Sequence, residues 1–170
     1  MKKILITGGG GYIGSMLCTE LINLGHKVTV IDLLKYDKGS LDHLYFNKNF
    51  LFINADTKET KILKNHINQN EFIIPLAALV GAPLCKKNKK EAINTNLNAI
   101  KKILENLKAK NKLIYLTTNS GYGIGEKNKF CNEESPLKPI SLYGQTKCDA
   151  ENEVIKFKNT VSFRLATVFG

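Results

Sequence analysis

The chain has 170 residues, 43% hydrophobic and 24% charged, a composition that fits about one globular domain with a sizeable core. No apolar run approaches the ~20 residues of a membrane-spanning helix, and the glycines after Ile6 cut the Met-Lys-Lys-Ile-Leu-Ile opening too short for a signal peptide. The net charge of +10 comes almost wholly from scattered lysines, because Arg164 is the only arginine; without a cluster of the residue preferred for base and phosphate contacts, no nucleic-acid partner is expected.

Ile4, Leu5 and Ile6 predict a first strand, followed by the run Thr7-Gly8-Gly9-Gly10-Gly11-Tyr12-Ile13-Gly14 and a helix with Ile13, Leu17, Leu21 and Leu24 on one face. Gly25 stops that helix, and Lys27–Ile31 predicts a second strand ending at Asp32. Leu33–Asn47 reads as loop with a short helix. Phe50–Ile53 predicts a third strand ending near Asp56, Thr57–Gln69 has helical spacing, and Phe72–Ala77 predicts a buried fourth strand, with Pro75 tolerated at its C-terminal edge. The dense run Lys86, Lys87, Lys89 and Lys90 opens a solvated helix, Lys89–Lys110, with Ile93, Leu97, Ile100, Leu104 and Leu107 on its apolar face. Lys112–Thr117 predicts a fifth strand, and Thr118–Ile140 a long polar connection of the kind that carries function. Ser141 caps a helix running to about Lys158, and Thr160–Leu165 predicts a sixth strand.

This alternation predicts an α/β fold: a doubly wound, Rossmann-type parallel sheet in the order 3-2-1-4-5-6 with helices on both faces. Ligands are then expected beyond the C-terminal strand ends, between strands 1 and 4. Cys18, Cys85, Cys131 and Cys148 have no metal or redox spacing, and only His26, His43 and His66 accompany them, so reduced thiols of a cytoplasmic protein and no metal site are expected.

Gly8, Gly11 and Gly14 have the spacing G-x-x-G-x-x-G between a strand and a helix. Gly8 allows a tight turn, Gly11 lets backbone approach a pyrophosphate, and Gly14 lets the helix pack closely; the helix N-terminus offers N–H groups and partial positive charge to phosphates. Asp32, at the end of the second strand, is placed to accept hydrogen bonds from ribose hydroxyls and to repel a 2′-phosphate, favouring NAD over NADP. Tyr143 and Lys147 are four apart on one helix face. A neighbouring ammonium and a nicotinamide cation are expected to lower the phenol's pKa, so that Tyr143 takes a proton from an alcohol as hydride leaves the same carbon.

From Lys2 to Gly170 the chain resembles the extended short-chain dehydrogenase/reductase family, in its NAD-dependent sugar-nucleotide epimerase/dehydratase branch, of the UDP-glucose 4-epimerase type. The resemblance rests on the glycine run, Asp32, Asp56, Leu76-Ala77-Ala78, Asn96, Thr118 ahead of Tyr122-Gly123, the stretch from Pro136 to Lys147, and Arg164–Gly170. It implies a cofactor site made by Gly8, Gly11, Tyr12, Ile13, Gly14, Asp32, Asp56, Ala77, Ala78, Asn96, Tyr143 and Lys147. Asp56 would reach the adenine amino group, and Ala77 and Ala78 would line the cofactor path. It also implies a catalytic set: Tyr143 as base, Lys147 holding the nicotinamide ribose, and Thr118 bonded to the reacting hydroxyl of a UDP- or dTDP-hexose, which passes through a 4-keto form. Three departures accompany it. Pro75 stands where the family commonly has His. Asn119 and Ser120 replace the acidic pair usual in 4,6-dehydratases, making that chemistry less expected than 4-epimerisation. Family members are about twice as long, so residues 1–170 are expected to be a NAD-binding domain without the C-terminal substrate domain. The alternative is a non-catalytic NAD-binding or assembly module. The long helices could also pair in a homodimer.

Overall fold

Short β-branched runs separated by amphipathic segments give the chain its layers. In the computed structural model, which describes residues 1–125 and 129–169, six strands form one sheet: β1 (Lys3–Thr7), β2 (Lys27–Asp32), β3 (Phe50–Asn54), β4 (Phe72–Pro75), β5 (Lys112–Thr118) and β6 (Thr160–Leu165). Every neighbouring pair is parallel and the order is β3-β2-β1-β4-β5-β6, as the alternation predicts. Gly170, the last residue of the family-like ending, lies outside the described residues.

Strand alternation sends successive side chains to opposite faces. Leu5, Ile31, Ile73, Leu113 and Tyr115 form one core with α2 (Thr60–Gln69), α5 (Ala99–Asn106) and α6 (Leu142–Val154). Ile4, Ile6, Val28, Val30 and Ile74 form the other, with α1 (Tyr12–Asn23) and the 3₁₀ turn at Asp42–Leu44.

The helices depart from the expected stripes for identifiable reasons. The buried line of α1 is Gly14, Cys18 and Ile22, with Leu17 and Leu21 only flanking it and Leu24 exposed. Small residues at positions 14 and 18 let the helix sit close to the sheet. Gly25 (φ 77°) ends α1 in a Schellman arrangement, its N–H donating to Ile22 O and the N–H of His26 to Leu21 O. The expected helix over 89–110 is three pieces: α4 (Lys89–Ile93), a π turn (Asn94–Asn98) and α5. The extra residue of a π turn rotates what precedes it by about 100°. Ile93 therefore turns outward, and Ala92 and Asn96 turn in. A further helix, α3 (Ala82–Lys87), precedes it behind Gly81 and was not expected from the sequence. α6 ends at Val154, four residues early, because Thr160 Oγ1 donates to the carbonyls of Val154 and Phe157.

Pro75 is the last residue of β4, and registered pairing with β5 stops two residues before it, at Ile73↔Leu113. On the β1 side the chain goes on pairing, with Leu76 and Ala77 N–H both donating to Thr7 O. The missing proline N–H thus falls where no ladder bond is needed. Among the described residues no helix is long and apolar enough to cross a membrane.

Candidate functional site

Beyond the C-terminal strand ends, where β1 and β4 run side by side with their crossovers leading in opposite directions, lies a cavity of about 880 Å³. That is ample for a dinucleotide-sized ligand. Its wall joins three groups from distant parts of the chain: the glycine turn, the carboxylates that follow β2 and β3, and Thr118 with Tyr143 and Lys147.

The turn is built by exclusion. Gly8 has φ 77°, and a Cβ there would lie 2.3 Å from the backbone nitrogen of Ala77. Its N–H donates to Ile31 O at 2.9 Å, fastening the turn to β2. A Cβ on Gly14 would lie 2.5 Å from Gly8 O, so helix and turn touch backbone to backbone. Gly11 is the N-cap of α1 and brings no side chain to the first-turn amides; the first helical bond runs from Ser15 N to Gly11 O. Gly11, Tyr12, Ile13 and Gly14 all line the cavity, and an uncapped first turn is a seat for a phosphate.

Asp32 is held by two backbone amides: Oδ2 accepts from Gly10 N at 2.9 Å and Oδ1 from Leu34 N at 2.8 Å. Each oxygen keeps capacity for a further donor. Leu34 adopts the left-handed φ of 47°, and Ser40 Oγ donates to Gly10 O, so residues 33–40 fold back over the glycine turn. Leu34 and Ser40 line the cavity without any local motif that marks them for it. Asp56 carries a load the sequence did not reveal: its Oδ2 lies 3.2 Å from Lys58 Nζ, which also donates to Glu91 at 2.9 and 3.1 Å. This strap joins the segment after β3 to α4, and Glu91 lines the cavity with Asp56.

Ala77 and Ala78 line the cavity. Asn96 does not; it is 1% exposed, accepts from Leu79 N at 2.8 Å, and donates to Leu79 O at 3.0 Å and Thr146 Oγ1 at 3.3 Å. It holds the 76–80 segment that forms the wall, inside the π turn, a device common at functional sites.

Ser141 caps α6 by accepting from Gly144 N, which sets Tyr143 and Lys147 on the helix face toward the sheet. The turn after β5 is capped by Thr118, whose Oγ1 accepts from Ser120 N at 3.1 Å. The Thr118 hydroxyl is also 3.1 Å from Ser120 Oγ, and it lies near enough to the Tyr143 phenol to favour its charged form. The expected acidification of Tyr143 by Lys147 is not found. Burial, helped by the nearby Cys85, pushes the phenol's pKa up, with only Thr118 opposing. The reason is where the amine points: Lys147 Nζ donates to Leu116 O at 2.7 Å and sits 4.3 Å from the centre of the Tyr115 ring. Burial pushes Lys147 down to about 8, while the Glu151 carboxylate works the other way. Thr117, also on the wall, has a buried hydroxyl without a hydrogen-bond partner among the described residues.

A family model described as the NAD dependent epimerase/dehydratase family matches residues 4–170. The chain is 35% identical over 125 residues to a UDP-N-acetyl-alpha-D-glucosaminuronate decarboxylase of Bacillus cytotoxicus, covering 73% of this chain and 39% of the relative. It is 30% identical over 183 residues to a probable UDP-glucuronate 4-epimerase of Rhizobium meliloti, covering 99% and 54%. Among solved structures it is similar to the UDP-glucuronic acid 4-epimerase of Bacillus cereus in complex with UDP-glucuronic acid and NAD, at 30% identity and a TM-score of 0.84, covering 95% of this chain and 55% of that one. The chain spans about half the length of the curated relatives it matches.

Proposed function

We propose that this chain, which belongs to the NAD dependent epimerase/dehydratase family, binds NAD on its glycine turn and is the cofactor-binding and proton-transfer portion of a sugar-nucleotide 4-epimerase. The observation that carries the reading is the joining of Gly8–Gly14, Asp32 and the Thr118–Tyr143–Lys147 group on the wall of one cavity. The uncapped first turn of α1 would take the pyrophosphate, Asp32 the adenosine ribose, and Asp56 the adenine end. Lys147 would hold the nicotinamide ribose. NAD, when bound, would supply the hydride acceptor.

The chain's own part is handling the proton. Tyr143 Oη would take the proton of the substrate's C4 hydroxyl and return it, with Thr118 Oγ1 orienting that hydroxyl. In the protein alone burial holds the phenol protonated; a cation brought beside it favours phenolate and makes it a competent base.

Relatives of the chain include 4,6-dehydratases and decarboxylases as well as epimerases. An observation at the site favours epimerisation. The carboxylates that line the cavity among the described residues are Asp32 at the end of β2, Asp37 and Asp56 on the segments after β2 and β3, and Glu91 on α4. The turn after Thr118 carries Asn119 and Ser120 in place of acids, which removes one source of the acid that an elimination needs.

The test gives the NAD-loaded protein UDP- and dTDP-hexoses and follows reduced nicotinamide by absorbance and the sugar by chromatography. The reading expects the C4 epimer, with the rate falling by about 10²–10⁴-fold in Tyr143→Phe. A 4-keto-6-deoxy product would replace it by a dehydratase. Bound NAD that none of these sugars reduces would leave the alternative, a NAD-binding module without turnover.

A further inference from the structure

The single arginine of the chain takes no part in the cavity. Arg164, on β6, points to the catalytic helix: its Nε donates to both carboxylate oxygens of Glu151, at 3.0 and 3.1 Å. Its Nη1 donates to Tyr122 Oη at 3.1 Å and to Glu133 O at 3.0 Å, and the guanidinium lies 5.3 Å from the centre of the Tyr122 ring. Glu151 is 4% exposed and also accepts from Ser162 Oγ at 3.0 Å. One guanidinium therefore ties together β6, the middle of α6, the turn that begins at Thr118, and the segment at Glu133.

Glu151 stands four residues after Lys147, one helical turn further along the same buried face. A carboxylate sealed in a core is costly unless paired and hydrogen-bonded. Here the pairing is complete, and Lys147 is the other charged side chain buried on that helix.

Resting on the assignment of Lys147 to the cofactor, we propose that Glu151 and Arg164 are positioning residues. Arg164 anchors the Glu151 carboxylate behind Lys147, and that anchored carboxylate keeps the Lys147 ammonium charged in its seat between the Leu116 carbonyl and the Tyr115 ring. The titratable and charged groups around this seat are Tyr143, Cys148 and Glu151 on α6, Tyr115 on β5, Arg164 on β6, and Cys85 on α3 beside Tyr143. Among them Glu151 favours the charged form of Lys147, against burial.

The arrangement makes an asymmetric prediction. Removing the carboxylate takes away the field that supports the ammonium. Removing the guanidinium takes away the charge that offsets that field. In Glu151→Gln the Lys147 titration midpoint should fall by about one pH unit, and in Arg164→Gln it should rise by a comparable amount. The midpoint is read from the side-chain NMR signal that disappears in Lys147→Met, on the 170-residue chain without NAD, so it stands apart from whether NAD binds. With NAD added, affinity should begin to fall at a lower pH in Glu151→Gln than in the parent. Opposite shifts support the proposal. Unchanged midpoints, or shifts of the same sign accompanied only by a lower melting temperature, would make the pair purely structural and overturn it. Each variant's sign is decisive alone, so one that fails to fold leaves the other to decide. A parent that binds no NAD would defeat the functional reading while leaving the titration result intact.

Discussion

Gly8→Ala is expected to destabilise the protein by about 3 kcal/mol and to abolish NAD binding. Two costs add at this position. A left-handed backbone costs an L-residue about 1–2 kcal/mol. The new methyl would also have to displace the Ala77 backbone, whose nitrogen lies 2.3 Å from its ideal position, and such overpacking costs about 1–3 kcal/mol. For a chain of this length the melting temperature should fall by about 6–12 °C. The control is built into the chain. Gly25 has the same φ of 77° but nothing within 4 Å of an added Cβ. Gly25→Ala should therefore show the backbone cost alone, about 1 kcal/mol, with NAD binding intact. Equal destabilisation by the two substitutions, in thermal melts side by side, would show that Gly8 does not hold the turn against the 76–80 segment.

Lys147→Met is expected to separate stability from function. Lys147 is 6% exposed, and burial pushes its ammonium down to about 8 from the 10.5 of free lysine. Below about 8 the group is charged in both folded and unfolded states, and burial of that charge penalises the fold by about 3 kcal/mol. As pH rises from about 8 toward 10.5, the folded protein sheds a proton that the unfolded chain keeps, so the stability attributable to this group increases. Methionine removes the penalty at neutral pH and loses the contact with Leu116 O. The net gain should be about 1–2 kcal/mol, or about 4 °C in melting temperature, and it should vanish at alkaline pH. NAD affinity should move the other way. Loss of a charged hydrogen-bond donor costs about 1.5–3 kcal/mol, which is about 10–100-fold in affinity. A variant that melts lower and binds NAD as before would contradict both the burial argument and the assignment of Lys147 to the cofactor.

What the sequence disclosed was whatever is encoded locally. The strand order followed from six short apolar runs separated by helical spacing, and the glycine turn from its place between a strand and a helix. The Tyr143–Lys147 pair was visible because four residues make one helical turn. What the sequence hid depends on partners far along the chain. Nothing near Asp56 announces that Lys58 will span to Glu91, 33 residues on. Asn96 has the residue type of a ligand contact, but a π turn faces it inward to Leu79. Spacing placed Lys147 beside Tyr143, yet its amine is turned to the carbonyl of Leu116 across the helix–sheet interface. Arg164 looked like an exception in a lysine-rich composition; only the fold brings it to Glu151.

The central claim is that the glycine turn, Asp32 and Lys147 make one NAD site. Titration calorimetry of the chain with NAD and, in parallel, NADP tests it most directly. The account predicts saturable binding of NAD at one site per chain, and at least about tenfold weaker binding of NADP, because an Asp32 carboxylate at the adenosine ribose would repel a 2′-phosphate. No saturable binding of NAD, or a preference for NADP, would contradict it.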